Sequence, residues 1–418
     1  MASFEPVYKL KCSCNQYPWG KTGSDSLSAR LCAKQPGWDG KGPKDKDFKI
    51  DENTPYAEMW MGTYPVLPVY VADTGEDLQD LLDKNPEQLI GQSTIDKFGH
   101  SKLPYLPKVL SIAKALPLQI HPNKDLAKKL HEKKPDQFTD PNHKPEIALA
   151  LTEFEAFCGF KPLDHIAKLM SLEPLKRYMP KITKPDFDDQ QLKAVVRNML
   201  EADDDSVKET YKALVSLSGD NFDGDDYIPK LAPRLAEQYS EADPGNLVAL
   251  ILMNYLVLQP GEGIYIPADG IHAYLKGDII ECMARSNNVL NTGFCPRAER
   301  DNVELFCSSL TFTPHSPDEC MLKKQDYSRA KHGKTFKYAP PLAEFDMIVT
   351  TLEERGKEEL GKVNGPGILL ATKGSAKMKA NGKEIELTEG AVYFVAPGTE
   401  LVLEAGSEGL QMHEAFVE

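Results

Sequence analysis

A chain of 418 residues, 41% hydrophobic and 27% charged, has apolar side chains enough for two or three buried cores. With 49 Lys plus Arg against 63 Asp plus Glu, its formal charge of −14 disfavours nucleic acid and anionic membranes as partners, so an anionic ligand needs a local group of cations. Eight scattered Cys without a Cys-x-x-Cys pair exclude a disulfide scaffold, and no apolar run resembles a signal peptide or approaches the roughly 20 residues of a membrane span. The expectation is a cytoplasmic protein, and a monomer, because no heptad pattern asks for a partner helix.

The first 161 residues are rich in Pro and Gly with short apolar runs between turn signals. Leu116 to His121 alternates apolar and polar and stops at Pro122; Glu146 to Leu151 starts just after Pro145; both read as strands. From 162 to 250 the spacing becomes helical, over Leu163–Met179, Asp189–Glu201, Ser206–Leu217 and Pro229–Tyr239, with acidic loops between. The acidic loop around Gly224 has the composition of a calcium loop, but Phe222 and Tyr227 break the alternation of ligands, and it reads as solvated. Strand character returns over 251–330, and 331–418 is a series of short strands, with Asn381-Gly382 as a hairpin turn. Many short strands joined by Gly/Pro turns predict a mainly β protein, a sandwich or jelly roll, carrying an α-helical insertion. Pro260 to His272 is similar to Thr388 to Glu400, which suggests two related β-domains, the first ending its copy on a His.

Gln119 and His121 stand two apart on a predicted strand and so share a face, Glu146 opens the next strong strand, and His272 follows the Pro260-Gly261 turn region. Two imidazoles, a carboxylate and an amide oxygen suit a borderline divalent ion such as Zn²⁺. By spacing alone such a set is more often a group of surface or core polar residues than a metal site.

Whole motifs carry more. Tyr56-Ala57-Glu58-Met59-Trp60-Met61-Gly62, Gln119-Ile120-His121-Pro122-Asn123-Lys124, His143-Lys144-Pro145-Glu146, Ile266 to Tyr274 and Asp278 to Ala284 resemble, in order over nearly the whole chain, the motifs of type I phosphomannose isomerases. The resemblance implies a cupin catalytic domain (1–161 and 251–330), a helical insertion (162–250) and a C-terminal cupin-like domain without metal ligands (331–418). It implies one zinc per chain on Gln119, His121, Glu146 and His272. It further implies a phosphosugar substrate, mannose 6-phosphate interconverted with fructose 6-phosphate through an enediolate, and a supply of mannose 6-phosphate for GDP-mannose and glycosylation. Glu281 becomes the candidate base, Lys144, two residues before Glu146, is a further catalytic candidate, and Lys108 and Tyr274 fall at pocket positions.

One segment departs from the pattern. Where the family reads Ser-Asp-Asn-Val-x-Arg-x-Gly-x-Thr-Pro-Lys, this chain has Asn287 for the Asp, Asn291 for the Arg and Arg297 for the Lys, and Pro117 stands where many relatives carry Ser. An amide supplies no positive charge, so Arg285 or Arg297 is expected to take over, with Arg297 the catalytic cation and Arg285 and Asn291 in contact with substrate. An oxygenase on a non-zinc metal and a sugar-binding bicupin without catalysis are the alternatives; the Gln119 amide disfavours the first, and only Asn287 and Asn291 favour the second.

Overall fold

The structure is a computed structural model that describes residues 4–35, 48–181 and 186–418. Among these residues the strands form two ten-stranded sheets and a two-stranded ribbon. The expected mainly β architecture, cupin-type sandwiches with a helical insertion, is the one present.

In one sheet the strands run in the order Met253–Leu258, Phe154–Phe160, His272–Ala284, Tyr105–Ile112, Glu58–Trp60 and Ser13–Asn15. The central strand, His272–Ala284, turns a corner. Its first residues pair with Phe154–Phe160 and with Gln119, whereas from Gly277 onward it pairs with Tyr105–Ile112 and from Ile279 with Glu146–Ala150. Gly277 makes the corner possible: its φ is 128°, and a Cβ there would lie 2.6 Å from the Glu153 carbonyl oxygen. The bend carries His272 on one layer and Glu281 on the other, both buried.

Four main helices fill the insertion, Leu163–Met170, Asp189–Leu200, Asp204–Val215 and Ile228–Gln238. Two of the acidic stretches between them are N-caps. Asp188 forms a capping box with Gln191, and the Asp203 side chain accepts from the Ser206 amide. The helix expected over Leu163–Met179 is shorter, ending at Met170 and giving way to a 3-10 turn at Glu173–Tyr178 that contains Pro174. Asp225, in the loop with calcium-like composition, binds Lys161 at 2.6 Å and His165 at 3.2 Å and so anchors the insertion.

Leu118, Ile120, Ile271, Ala273 and Leu275 share one apolar core with the insertion helices. Period-2 alternation then sends Gln119, His272 and Tyr274 to the opposite face, the interior of the sandwich. The helices thus seal the outside of the very strands whose polar residues face inward.

In the C-terminal half, Leu401–Phe416 pairs with Gly367–Ala380 and with Asp346–Leu352. Not every strand there is short: Gly367–Ala380 is one long strand with two irregularities, and Asn381 and Gly382 turn with φ of 46° and 86°, as the hairpin signal requires. Val7–Lys11, from the other end of the chain, joins this sheet against Val392–Val395. The internal repeat is visible with its register moved by one residue. Gly261 and Gly390 both have positive φ, as do Asp269 and Gly398 at the same spacing, and each copy then enters its long strand, at His272 and at Leu401. Leu401, and not Glu400, occupies the place of His272.

Candidate metal centre

His121, Glu146 and His272 are fully buried, with ligand atoms that all lie within 4.8 Å of one another. Each imidazole is oriented by its backbone. His121 Nδ1 lies 2.8 Å from the Asn288 carbonyl oxygen and His272 Nδ1 3.0 Å from that of Gly270. An Nδ1–H donating to a carbonyl leaves Nε2 as a lone pair, and both Nε2 atoms face Glu146, at 3.1 Å from Oε1 and 3.7 Å from Oε2. Burial lowers both imidazole pKa values, that of His121 to about 4 with help from Lys144, so both rings are neutral at pH 7.

The facing atoms His121 Nε2 and His272 Nε2 are buried lone pairs without a hydrogen-bond donor, and Glu146 Oε1 between them makes no hydrogen bond and has only the Lys144 ammonium at 3.2 Å. Leaving two buried lone pairs turned on a carboxylate is costly, and a divalent cation satisfies all three atoms at once. The donor set therefore fits a metal ion. Burial alone would raise the Glu146 pKa, but Lys144 at 3.2 Å and the two imidazoles hold it well below the ordinary value, so it is a carboxylate. The Tyr274 hydroxyl, fully buried, donates to Glu146 Oε2 at 3.2 Å and fixes its orientation. Gln119 sits directly across from His272 on one side and Asn291 on the other, so the three side chains project from one face in a row.

A second cluster adjoins the first. Glu281 Oε2 is 3.0 Å from Lys108 Nζ, which is 3.8 Å from Glu58 Oε2 and lies 4.8 Å from the Trp60 ring centre. Trp60 Nε1 donates to Glu58 at 2.5 Å. Burial raises the Glu281 pKa; Lys108 opposes this and Glu146 adds to it, and the carboxyl is pushed up to about 7. Burial also disfavours the Lys108 charge, yet Glu281, Glu58 and Glu146 outweigh it and raise that pKa, so the ammonium persists. A buried carboxyl that titrates near neutrality beside a fixed cation can take and return a proton at pH 7.

The remaining predicted residues are spread more widely. Asn291 is within the row, its backbone N–H bound to Asp301 at 2.8 Å and its side-chain oxygen buried without a partner. Arg285 stands at the end of the strand, donating to Thr63 Oγ1 and O at 3.0 and 2.9 Å. Arg297 is exposed and ion-paired to Asp204 of the insertion, so the structure does not bring it into the buried cluster. Asn287 is also exposed, held through its N–H by Asp140. Sequence reasoning gave no role to Glu58, Trp60 or Asn288. Alternation along Glu58–Trp60, paired with Tyr105–Ile112, puts the first two beside Lys108 and was open to being read. Asn288, which holds His121 through its carbonyl while its amide nitrogen binds Asp140 O and Asn142 O at 2.7 and 3.0 Å, left no such pattern.

Fold and site together define a cupin whose buried His–Glu–His cluster fits a metal ion, with a Lys108–Glu281 ion pair beside it. A family model, phosphomannose isomerase type I, catalytic domain, matches residues 7–163. The chain is 37% identical to the mannose-6-phosphate isomerase of Saccharomyces cerevisiae over 99% of each chain, and 35% identical to that of Candida albicans over the whole of both. Its fold superposes on the apo mannose 6-phosphate isomerase of Salmonella typhimurium with a TM-score of 0.79 at 23% identity, covering 99% of this chain and 100% of that one. A zinc-bound mannose 6-phosphate isomerase matches with the same score and identity over the same shares of the two chains. The chain belongs to the type I phosphomannose isomerase family.

Proposed function

We propose that this protein interconverts mannose 6-phosphate and fructose 6-phosphate with one zinc ion held by Gln119, His121, Glu146 and His272. The observation that carries the reading is the buried His121–Glu146–His272 ligand cluster beside a Lys108–Glu281 ion pair in which burial pushes Glu281 up to about 7. The named relatives, similar over full length, support the same substrate.

Aldose–ketose isomerisation moves a proton between C1 and C2 and passes through an enediolate. Glu281 is the group to carry that proton: it is ionised in part at pH 7 and returns to the acid without leaving its pocket. Lys108 offsets the negative charge of Glu281 when it is ionised, and Lys144 supplies a second ammonium next to Glu146. Zinc, when bound, supplies a Lewis acid that polarises the sugar oxygens. Asn291 offers a neutral amide where the family pattern has Arg, and its free oxygen suits a sugar hydroxyl. Arg297 does not replace the missing charge, because Asp204 engages it at the surface.

We further infer a cytosolic monomer feeding mannose 6-phosphate to GDP-mannose synthesis; eight free cysteines support a reducing compartment, and among the described residues no helix is long and apolar enough to cross a membrane. Incubation of zinc-loaded protein with mannose 6-phosphate, read as fructose 6-phosphate, tests the activity. Turnover abolished by chelation and restored by zinc is the expected result. Binding of the sugar phosphate without turnover would favour the sugar-binding bicupin, for which Asn291 is the argument.

A further inference from the structure

Beyond the strand His272–Ala284, where Arg285 continues the ladder by donating its N–H to the Pro104 carbonyl, lies a second cavity of about 340 Å³. Its wall includes Arg285, Lys102, Lys124 and His100, with Tyr64 and the acids Asp140 and Glu344. The acids make no ion pair with these cations, although the Asp140 charge still favours the Arg285 cation. Asp140 accepts from the Tyr64 hydroxyl and the Asn287 and Asn142 amides at 3.2, 2.9 and 3.0 Å. Glu344 is taken by His143 at 2.6 Å and by the Ala343 amide at 3.1 Å.

The basic groups are instead held open. Two of the five Arg285 N–H groups go to Thr63, and the guanidinium stacks 5.2 Å from the Tyr64 ring centre, so it is aimed while donors remain. His100 stacks on Phe98 and accepts the Lys102 N–H on Nδ1 at 3.2 Å, which makes its Nε2 a donor. Burial lowers the His100 pKa, and the charges of Arg285 and Lys102 lower it further, so these groups feel one another as like charges. Lys102 and Lys124 have no ion-pair partner among the described residues. With Arg285, Lys102 and Lys124 against Asp140 and Glu344, the concave site holds an excess of cations that is unfavourable until an anion enters.

We propose that this cavity binds a phosphate monoester dianion, at a site separate from the metal centre. A phosphate group, with about −1.5 to −2 charge and three acceptor oxygens, matches a planar guanidinium flanked by ammonium groups better than a single carboxylate does. Glu281 and Arg285 lie on the same face, four residues apart along the extended chain, or roughly 13 Å at ~3.3 Å per residue. The ligand is then either the phosphate end of the sugar substrate or a second phosphorylated metabolite.

Calorimetric titration of the zinc-loaded, full-length protein with inorganic phosphate tests the proposal and does not depend on the isomerase reading. Lys102→Met and Lys124→Met change exposed side chains, so folding is preserved; each is expected to weaken phosphate binding about tenfold, with Arg285→Met weaker still, while zinc content and melting temperature stay unchanged. Steady-state kinetics then separate the two sources. Competitive inhibition by phosphate with a raised KM in Lys102→Met assigns the cavity to the substrate, and non-competitive inhibition with unchanged KM assigns it to another ligand. Absence of phosphate binding at millimolar concentrations, equal affinity in all variants, or loss of binding on chelation alone would overturn the proposal.

Discussion

Glu281 is a carboxyl with almost no water around it, an ammonium 3.0 Å away and a second carboxylate nearby, and these set its titration near neutrality. A base acts only when ionised, so kcat should fall as pH drops below about 7, the value to which burial pushes this group. Glu281→Gln should lower kcat at least about a hundredfold and abolish that limb while zinc content is unchanged. A pH–rate profile of the variant that keeps the same acid limb would remove Glu281 from the role. At this scale the sequence was legible where chemistry is written into residue type: two His, a Glu and a Gln on strands that alternate. It was not legible where a backbone carbonyl or a neighbour decides. Asn288 holds His121 with its carbonyl oxygen, which any residue possesses, and Arg297 is drawn to Asp204, a partner distant in sequence.

The strand His272–Ala284 joins His272 of the candidate metal centre to Glu281, the proposed proton-transfer group, and its corner depends on Gly277. Any larger residue meets both the Glu153 carbonyl and a φ of 128° that L side chains avoid. Gly277→Val should destabilise the fold by about 2 kcal/mol or more and lower both zinc retention and turnover, as urea denaturation with metal analysis would show. Unaltered stability would mean that the corner is formed elsewhere. Most elements of the insertion and of the C-terminal domain were readable from periodicity and from the Asn381-Gly382 turn. The helix break at Pro174 was missed because apolar spacing continues through it, and the repeat register slipped because positive φ at Asp269 is a backbone property that composition hides.

Across the whole molecule the two β-sandwiches are not independent. Val109, Ile280 and Cys282 pack in one core with Ile368, Phe394 and Ala415, and the Tyr105 hydroxyl lies 2.8 Å from the Pro366 carbonyl oxygen and 3.0 Å from that of Ala415. Nothing in the order of motifs announces that union, since it follows from which faces remain apolar after each sheet is closed. Glu414 lies in that C-terminal sheet, and burial pushes its pKa up to about 8. The folded chain then keeps a proton that the unfolded chain releases above about 4.5, so stability is full below that pH and declines as pH rises toward 8. Glu414→Gln, which cannot ionise, should show a melting temperature that gains on the parent protein steadily between those limits. A difference independent of pH would contradict the assignment.

The buried set of His121, Glu146 and His272, with Gln119 proposed as its fourth ligand, is the centre of the site. Zinc titrated into chelated protein, with mannose 6-phosphate turnover as the readout, should restore activity in proportion to metal and stop at one ion per chain, with no restoration in His272→Ala. Turnover that ignores added zinc, or a His272→Ala variant that titrates like the parent, would contradict it.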